Sequence, residues 1–329
     1  MAKILVVGGA GYIGSHTTHL LLQRGHDCIV ADNLSKGYRH NVEPARFREL
    51  DLQDTPALTN LMQAGRFDAV IHFAASIAVG ESTTVPHQYF SNNVGGSLSL
   101  INAMLAADIK RIVFASTAAV YGTPARTPIT EEMPFSPESP YGETKVMVEK
   151  VLGWYDRFLS LRSVCLRFFN ACGAEPSAGR GEEHEPETHL IPLMLRAAAG
   201  GKPVTVFGAD YPTSDGSCVR DYIHVMDLAE AHAVALDHLL TGGATRQFNC
   251  GTGTGYTVFE VMRAIEKVTG LRVPHSIGPR RDGDPTELVA DSTRLQAELG
   301  WKPMRSDLES IVKDAWEFEP IRLARAVPA

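Results

Sequence analysis

The chain is 329 residues long, 44% hydrophobic and 21% charged, with a formal net charge of −7. At roughly 150 residues per domain this length suggests about two domains, and the composition excludes wholesale disorder. Asp and Glu (38) outnumber Lys and Arg (31) and no apolar run reaches the roughly 18 residues that span a bilayer, so neither nucleic acid nor membrane is an expected partner.

Lys3–Val7 reads as a buried strand and Ser15–Arg24 as the helix that follows it. Asp27–Ala31, Phe67–Phe73 and Arg111–Ala115 read as further strands, with helical spacing over Val94–Ala107. Tyr141 to about Phe158 is helical, and Ser163–Arg167 is strand again. Continuous β-branched runs alternating with helices predict parallel strands joined by crossovers, a Rossmann-type doubly wound α/β sheet. The character changes after Asn170. Residues 171–189 hold several glycines, Pro176 and a Glu/His cluster, which predicts a long loop. Helices at Leu190–Ala199 and Val258–Thr269 then mix with short strands near Val204–Phe207 and Gln247–Cys250. The expected organisation is a cofactor-binding domain over 1–170 and a smaller α+β substrate-binding domain over 171–329. Asp221–Leu240 looks like a strand-turn-helix returning to the first sheet, so part of 215–240 is expected to join residues 1–170. The start, Met-Ala-Lys before Ile4–Val7, lacks the length of a signal-peptide core. Five cysteines, odd in number and without a CxxC pair, fit reduced thiols in the cytoplasm.

Gly8-Gly9-Ala10-Gly11-Tyr12-Ile13-Gly14 directly follows the first strand and opens the first helix. Glycine is needed where the turn is tight and the backbone must approach a pyrophosphate, and the helix start then offers free N–H groups. The next strand ends in Asp32, whose carboxylate accepts hydrogen bonds from ribose hydroxyls and repels a 2′-phosphate. NAD is therefore expected over NADP. Asp51-Leu52 approaches the adenine or, equally, caps the following helix.

Tyr141 and Lys145 stand four residues apart, one turn along a helix face. An ammonium beside a phenol favours the phenolate, which lets a group that titrates near ~10 act as a base at neutral pH. Ser116-Thr117 ends an earlier strand, where a hydroxyl can share the substrate's proton, and ligands sit at the carboxyl ends of parallel strands.

Together with DNLS at 32–35, HFAA at 72–75, VGES at 79–82, VYG at 120–122, SPYGETK at 139–145, RFFN at 167–170, VRDYIHVMDLA at 219–229 and RRDGDP at 280–285, these residues resemble the extended short-chain dehydrogenase/reductase family. The likeness is strongest to its members that invert C4 of UDP-hexoses, and it runs over some 280 residues. It implies tightly held NAD, a UDP-hexose substrate, and interconversion of UDP-glucose and UDP-galactose through a 4-keto sugar. It implies that Gly8, Gly11 and Gly14, with Tyr12 and Ile13 between them, hold the pyrophosphate. Asp32 and Asn33 would take the adenosine ribose, and Asp51 with Leu52 the adenine. Phe73, Ala74, Ala75 and Phe169 would line the cofactor pocket, with Asn92 near the phosphates. Tyr141 would be the base, Lys145 its partner on the nicotinamide ribose, and Thr117 the hydroxyl where relatives commonly have serine. Asn170, His189, Leu190, Phe207, Arg220, Tyr222, Arg281, Asp284 and Leu288 would contact the UDP-sugar. At His189, where relatives carry asparagine, a neutral imidazole would donate one hydrogen bond. Leu288 aligns with the position that limits room at the sugar's C2 substituent, so N-acetylated UDP-sugars are expected to fit.

The nearest rival within the family, a nucleotide-sugar 4,6-dehydratase, needs an extra acid and base beside Thr117, and Ala118 and Ala119 can move no proton. A non-catalytic NAD-binding protein would be expected to have lost Tyr141 or Lys145. No metal is expected, because Glu182, Glu183, His184, Glu185 and His189 match no compact ligand set and read as a solvated loop. The resemblance further implies a homodimer through the helices at Val94–Ala107 and Tyr141–Phe158.

Overall fold

A computed structural model describes residues 1–281 and 284–326. Asp282 and Gly283 of the RRDGDP motif lie outside the described residues, as do residues 327–329. Strand β1 (Lys3–Val7) leads through the glycine turn into α1 (Tyr12–Gln23). Strands β2 (Asp27–Asp32) and β3 (Phe47–Glu49), helix α2 (Thr55–Gly65) and strand β4 (Ala69–His72) follow. Two short helices, α3 (Val79–Thr84) and α4 (Pro86–Tyr89), pass through a π-helical stretch at Phe90–Gly95 into α5 (Gly96–Ala106). Next come β5 (Arg111–Thr117), α6 (Pro140–Leu159), β6 (Arg162–Phe168) and β7 (Asn170–Cys172). Beyond the long loop lie α7 (Leu190–Ala198), β8 (Val204–Phe207), β9 (Val219–His224), α8 (Val225–Leu240) and β10 (Arg246–Cys250). The chain closes with β11 (Gly255–Thr257), α9 (Val258–Thr269), β12 (His275–Gly278), β13 (Glu287–Leu288), α10 (Thr293–Leu299) and α11 (Leu308–Ala326).

Seven parallel strands form the main sheet in the order β10-β6-β5-β4-β1-β2-β3. Both faces are apolar, as a parallel sheet with helices on each side requires. Ile4 and Val6 of β1 pack toward α1 and α8, whereas Leu5 and Val7 pack toward α2, α5 and α6. Strand β9 organises a second sheet, flanked by antiparallel β11 and by β13 along its first half and by β7 along its second. β8 and β12 pair apart from these.

Two segments sit elsewhere than the sequence suggests. Gln247–Cys250, expected in the second unit, is the edge of the main sheet: Phe248 opposes Leu166 of β6 and is fully buried. In Asp221–Leu240 the helix returns to pack against α1, but the strand belongs to the second sheet. The chain therefore crosses between the sheets several times after residue 170. Among the described residues no helix is long and apolar enough to cross a membrane.

Candidate active site

Gly8 has φ +79°, and a Cβ there would lie 2.5 Å from the Ala74 nitrogen; at Gly14 a Cβ would lie 2.2 Å from the Gly8 carbonyl oxygen. Glycine is what lets β1, the loop after β4 and α1 approach this closely. Gly11 caps α1 with no side-chain hydrogen bond, and the first turn carries no acidic residue. The leading amides of α1 are thus free for an anion. The hydroxyl of Tyr12 is turned away, donating to the Gly173 carbonyl at 2.7 Å, and Ile13 packs into the core. These two residues serve the turn through their backbone.

Asp32 accepts from the Ala10 amide at 3.0 Å and the Leu34 amide at 2.8 Å. Burial pushes its carboxyl up while these amides pull it down. Beside it Asn33 donates to Asp51 at 2.8 Å, which joins the ends of β2 and β3 at the rim, with Leu52 buried behind against Gly96. The Phe73 and Ala74 amides donate to the Val7 carbonyl at 2.8 and 3.2 Å, and Ala75 follows half-buried. This loop lies between β4 and β1, where the strand order reverses and a crevice opens. Asn92 donates to Ser76 at 3.1 Å. The neighbouring Asn93, which sequence reasoning passed over, bonds the Ser76 backbone in both directions and reaches Thr144 of α6 at 3.1 Å. It ties the loop after β4 to the helix that carries Tyr141. The π-helical turn around it, a feature frequent at functional sites, had no sequence signal.

Helix α6 begins where Ser139 caps the Gly142 amide at 3.1 Å and Pro140 fixes the first turn. This puts Tyr141 and Lys145 in the first two turns, against the end of β5. Tyr141 and Thr117 are both buried, with the Thr117 hydroxyl beside the phenol, and Thr117 Oγ1 accepts from the Ala119 amide at 3.2 Å. Burial pushes the phenol up to about 12, opposed by the neighbouring Thr117 hydroxyl. The expected help from Lys145 is absent from this geometry. Its Nζ lies 6.0 Å from the Tyr141 ring centre and donates to the Ala115 carbonyl at 2.8 Å. Burial holds the ammonium itself down to about 8.

On the second sheet, Asn170 pairs in register with Tyr222 and donates to the Asp221 carbonyl at 3.1 Å. Tyr222 is buried, and its phenol is raised by desolvation. Arg220 is ion-paired with Asp284, and the Arg281 guanidinium stands 3.9 Å over the Phe207 ring. Leu288 opposes Arg220 across β9 and β13. It also packs against the cluster formed by Ala118, Val120, Tyr121 and Phe169, beside Thr117. One residue missed from sequence is Asp221, fully buried, whose carboxylate accepts from the amides of Thr252, Gly253 and Ala290. It locks β9 between the end of β10 and β13, thereby fixing Arg220 and Tyr222 on either side.

The Glu/His cluster is a correction. It is no solvated loop: the side chains of Glu182 and Glu187 are 5% and 1% exposed. His184 and His189 bond Glu182 at 2.9 and 2.6 Å, and His189 also bonds Glu187 at 2.9 Å. One ligating atom from each of Glu182, His184, Glu187 and His189 lies within 4.8 Å of the others, so the cluster is compact where the sequence suggested no compact ligand set. The two carboxylates more than offset burial and raise His189 to about 10, which favours the imidazolium over the neutral ring expected from sequence. His189 and Leu190 open α7.

A glycine turn feeding a bare helix start, a carboxylate at the second strand end, and a phenol–hydroxyl pair with a lysine one turn on define a dinucleotide-binding α/β site built to move a proton on a substrate hydroxyl. The chain belongs to the NAD dependent epimerase/dehydratase family, whose model matches residues 4–251. It is 49% identical over 316 residues to the UDP-glucose 4-epimerase of Halalkalibacterium halodurans, covering 96% of this chain and 95% of that one. Its fold matches a UDP-glucose 4-epimerase from Brucella ovis in complex with NAD, with a TM-score of 0.94 at 45% identity over 96% and 98% of the two chains. It also matches UDP-glucose-4-epimerase from Stenotrophomonas maltophila with bound NAD and formylated UDP-arabinopyranose, with a TM-score of 0.95 at 41% identity over 99% and 100%.

Proposed function

We propose that this chain is an NAD-dependent epimerase that inverts C4 of UDP-hexoses, interconverting UDP-glucose and UDP-galactose. The observation that carries the reading is the buried Tyr141–Thr117 hydroxyl pair at the carboxyl end of β5, faced across Leu288 by Arg220 of the second sheet. The close-packed glycines and uncapped start of α1 fit a dinucleotide pyrophosphate, and Asp32 fits a free 2′-hydroxyl. NAD held there would supply the acceptor and donor of a hydride at C4.

The chain's own residues do the rest. Thr117 and Tyr141 hold the 4-hydroxyl, and Tyr141 accepts its proton during oxidation and returns it afterwards. Lys145 supplies a buried ammonium to the cofactor ribose and, once drawn toward it, to the phenolate. Arg220 and Arg281 grip the diphosphate by charge-assisted hydrogen bonds, with Asp284 giving up Arg220 as the substrate enters. His189, an imidazolium, adds a donor near the sugar phosphate, and Phe207 with Arg281 flanks the uracil. The 4-keto sugar turns about its phosphate linkage between the two half-reactions, and the net redox change is zero. Leu288, smaller than tyrosine, leaves room for an N-acetyl group at C2.

In this reading residues 1–170 with α8 and β10 serve the cofactor, and the remaining segments serve the sugar. The working unit is a homodimer. Its support is a stripe on α6 of Met147, Trp154 and Phe158, of which Trp154 and Phe158 are 59% and 67% exposed and stack at 5.8 Å. An exposed apolar patch of this kind matches the same patch on a second copy. Five buried free cysteines suit the reducing cytoplasm. The test is to give the purified protein UDP-galactose with no added cofactor and follow the sugar anomeric signals by NMR. UDP-glucose accumulating to a fixed ratio supports the reading; no conversion, even after NAD is supplied, overturns it.

A further inference from the structure

Helix α6 carries Tyr141, Lys145 and Glu149 at successive four-residue steps, so Glu149 stands one turn beyond Lys145 on the same face. It is 5% exposed and sits in a closed polar network. Ser116, the residue before Thr117, donates to Glu149 Oε1 at 2.5 Å. Arg167 of β6 donates Nε at 3.1 Å and Nη2 at 2.6 Å to the same carboxylate, and that ion pair is almost wholly withdrawn from water. The other arm of Arg167 reaches the Tyr121 hydroxyl at 2.8 Å. Tyr121 donates to Asn249 of β10 at 2.7 Å, and Asn249 donates to the Ile129 carbonyl at 2.8 Å. One carboxylate thus ties α6 to β5, β6 and, through Tyr121, to the segment that pairs with Ala290 beside Leu288.

A buried ion pair is a poor device for stability alone, since apolar residues of the same size often serve as well. Its position here suggests another use. We propose that Glu149, clamped by Arg167, is a positioning residue of the reaction centre: it fixes the Ser116–Thr117 end of β5 against α6 and sets its carboxylate one helical turn from Lys145. The proposal rests on the reading of Tyr141 and Lys145 as the reacting pair. The groups facing Lys145 are Tyr141 and Glu149 on α6, His72 on β4, Phe114 and the Ala115 carbonyl on β5, and Cys165 on β6, with Arg167 held on Glu149. Burial holds His72 down to about 3 and pushes the Cys165 thiol up, so both are neutral at pH 7. Among these neighbours the negative charge is Glu149's, and it opposes the desolvation that pulls Lys145 down.

The test uses Glu149→Gln, which keeps an oxygen for Ser116 and removes the charge. A second variant, E149Q with R167M, avoids leaving the guanidinium buried and unpaired. The Lys145 titration is followed by NMR of 15N-lysine-labelled protein, assigned with Lys145→Arg, alongside the pH profile of kcat. In E149Q Lys145 is expected to titrate about one unit lower, and in E149Q/R167M, where both charges of the pair are gone, lower by a smaller amount. The alkaline limb of kcat moves down with it, and in E149Q turnover at pH 7.5 falls about three-fold while KM stays within about two-fold. An unmoved Lys145 titration, or a loss of activity that follows the melting temperature at every pH, overturns the proposal. If wild type fails to epimerise UDP-galactose, the functional reading falls, while the NMR titration still reports the coupling of Glu149 to Lys145.

Discussion

Replacing Tyr141 by phenylalanine tests the chemistry most directly. The ring keeps its buried seat at the head of α6, and only the hydroxyl is lost. Thr117 keeps its bond from the Ala119 amide, so the cost in stability should be no more than about 1 kcal/mol. Binding of UDP is expected to persist, because Phe207, Arg220 and Arg281 stand on β8, on β9 and beyond β12, outside the Tyr141–Thr117 pair. What disappears is the group that takes and returns the proton. General acid–base groups contribute about 10²–10⁴ in rate, equivalent to about 2.7–5.4 kcal/mol of barrier. The assay is conversion of UDP-galactose by NMR over hours, with UDP affinity from calorimetry on the same preparation. Turnover within ten-fold of wild type, or a loss matched by an equal loss of UDP affinity, would refute the role given to Tyr141.

Acid should destabilise the fold through histidines rather than carboxylates alone. Burial holds His16 and His232 down to about 4 and His72 to about 3. Each has a folded pKa below its unfolded ~6.5, so the unfolded chain binds more protons between those values. Stability is complete above about pH 6.5 and drops by up to ~4 kcal/mol per pH unit below it; a urea midpoint unchanged from pH 7.5 to 5 would contradict this. Changing Trp154 and Phe158 together to aspartate should yield a monomer by sedimentation at micromolar concentration, and a variant that stays dimeric would remove α6 from the interface. Leu288→Tyr should abolish turnover of UDP-N-acetylglucosamine while sparing UDP-galactose; equal turnover of both by the variant would show that Leu288 does not set the C2 limit.

What the sequence made legible was local. The glycine turn, Asp32 and the Tyr141–Lys145 spacing lie within one strand, one turn or one helix, so their geometry follows from short-range rules. The strand at 246–250 was assigned to the wrong sheet because nothing in its five residues names β6, some 80 positions earlier, as its neighbour. Glu182, His184 and His189 read as solvated because charge on a glycine-rich loop usually is, and Glu187, which closes the cluster, was not singled out. Here the Tyr12 hydroxyl, the Tyr38 hydroxyl and Arg325 of α11 all fasten that loop inward. The phenol of Tyr141 was expected to be drawn down by Lys145, and spacing alone could not reveal that the ammonium points at Ala115 instead. Asn93 and Asp221 were given no role, although Asp221 stands within VRDYIHVMDLA, because a motif does not show which backbone amides and carbonyls a side chain will bind.

The place of β10 has a consequence for how the protein is made. Strand β6 is complete at residue 168, but the strand that covers its outer edge begins at residue 246. At about 5–20 residues per second, a ribosome needs roughly 4–16 s to supply it. During that interval the nascent chain carries an open, apolar strand edge, the form most prone to pair with a neighbour. Slow translation between residues 168 and 250, or a chain broken off in that stretch, should therefore lead to aggregation rather than to a stable half-molecule.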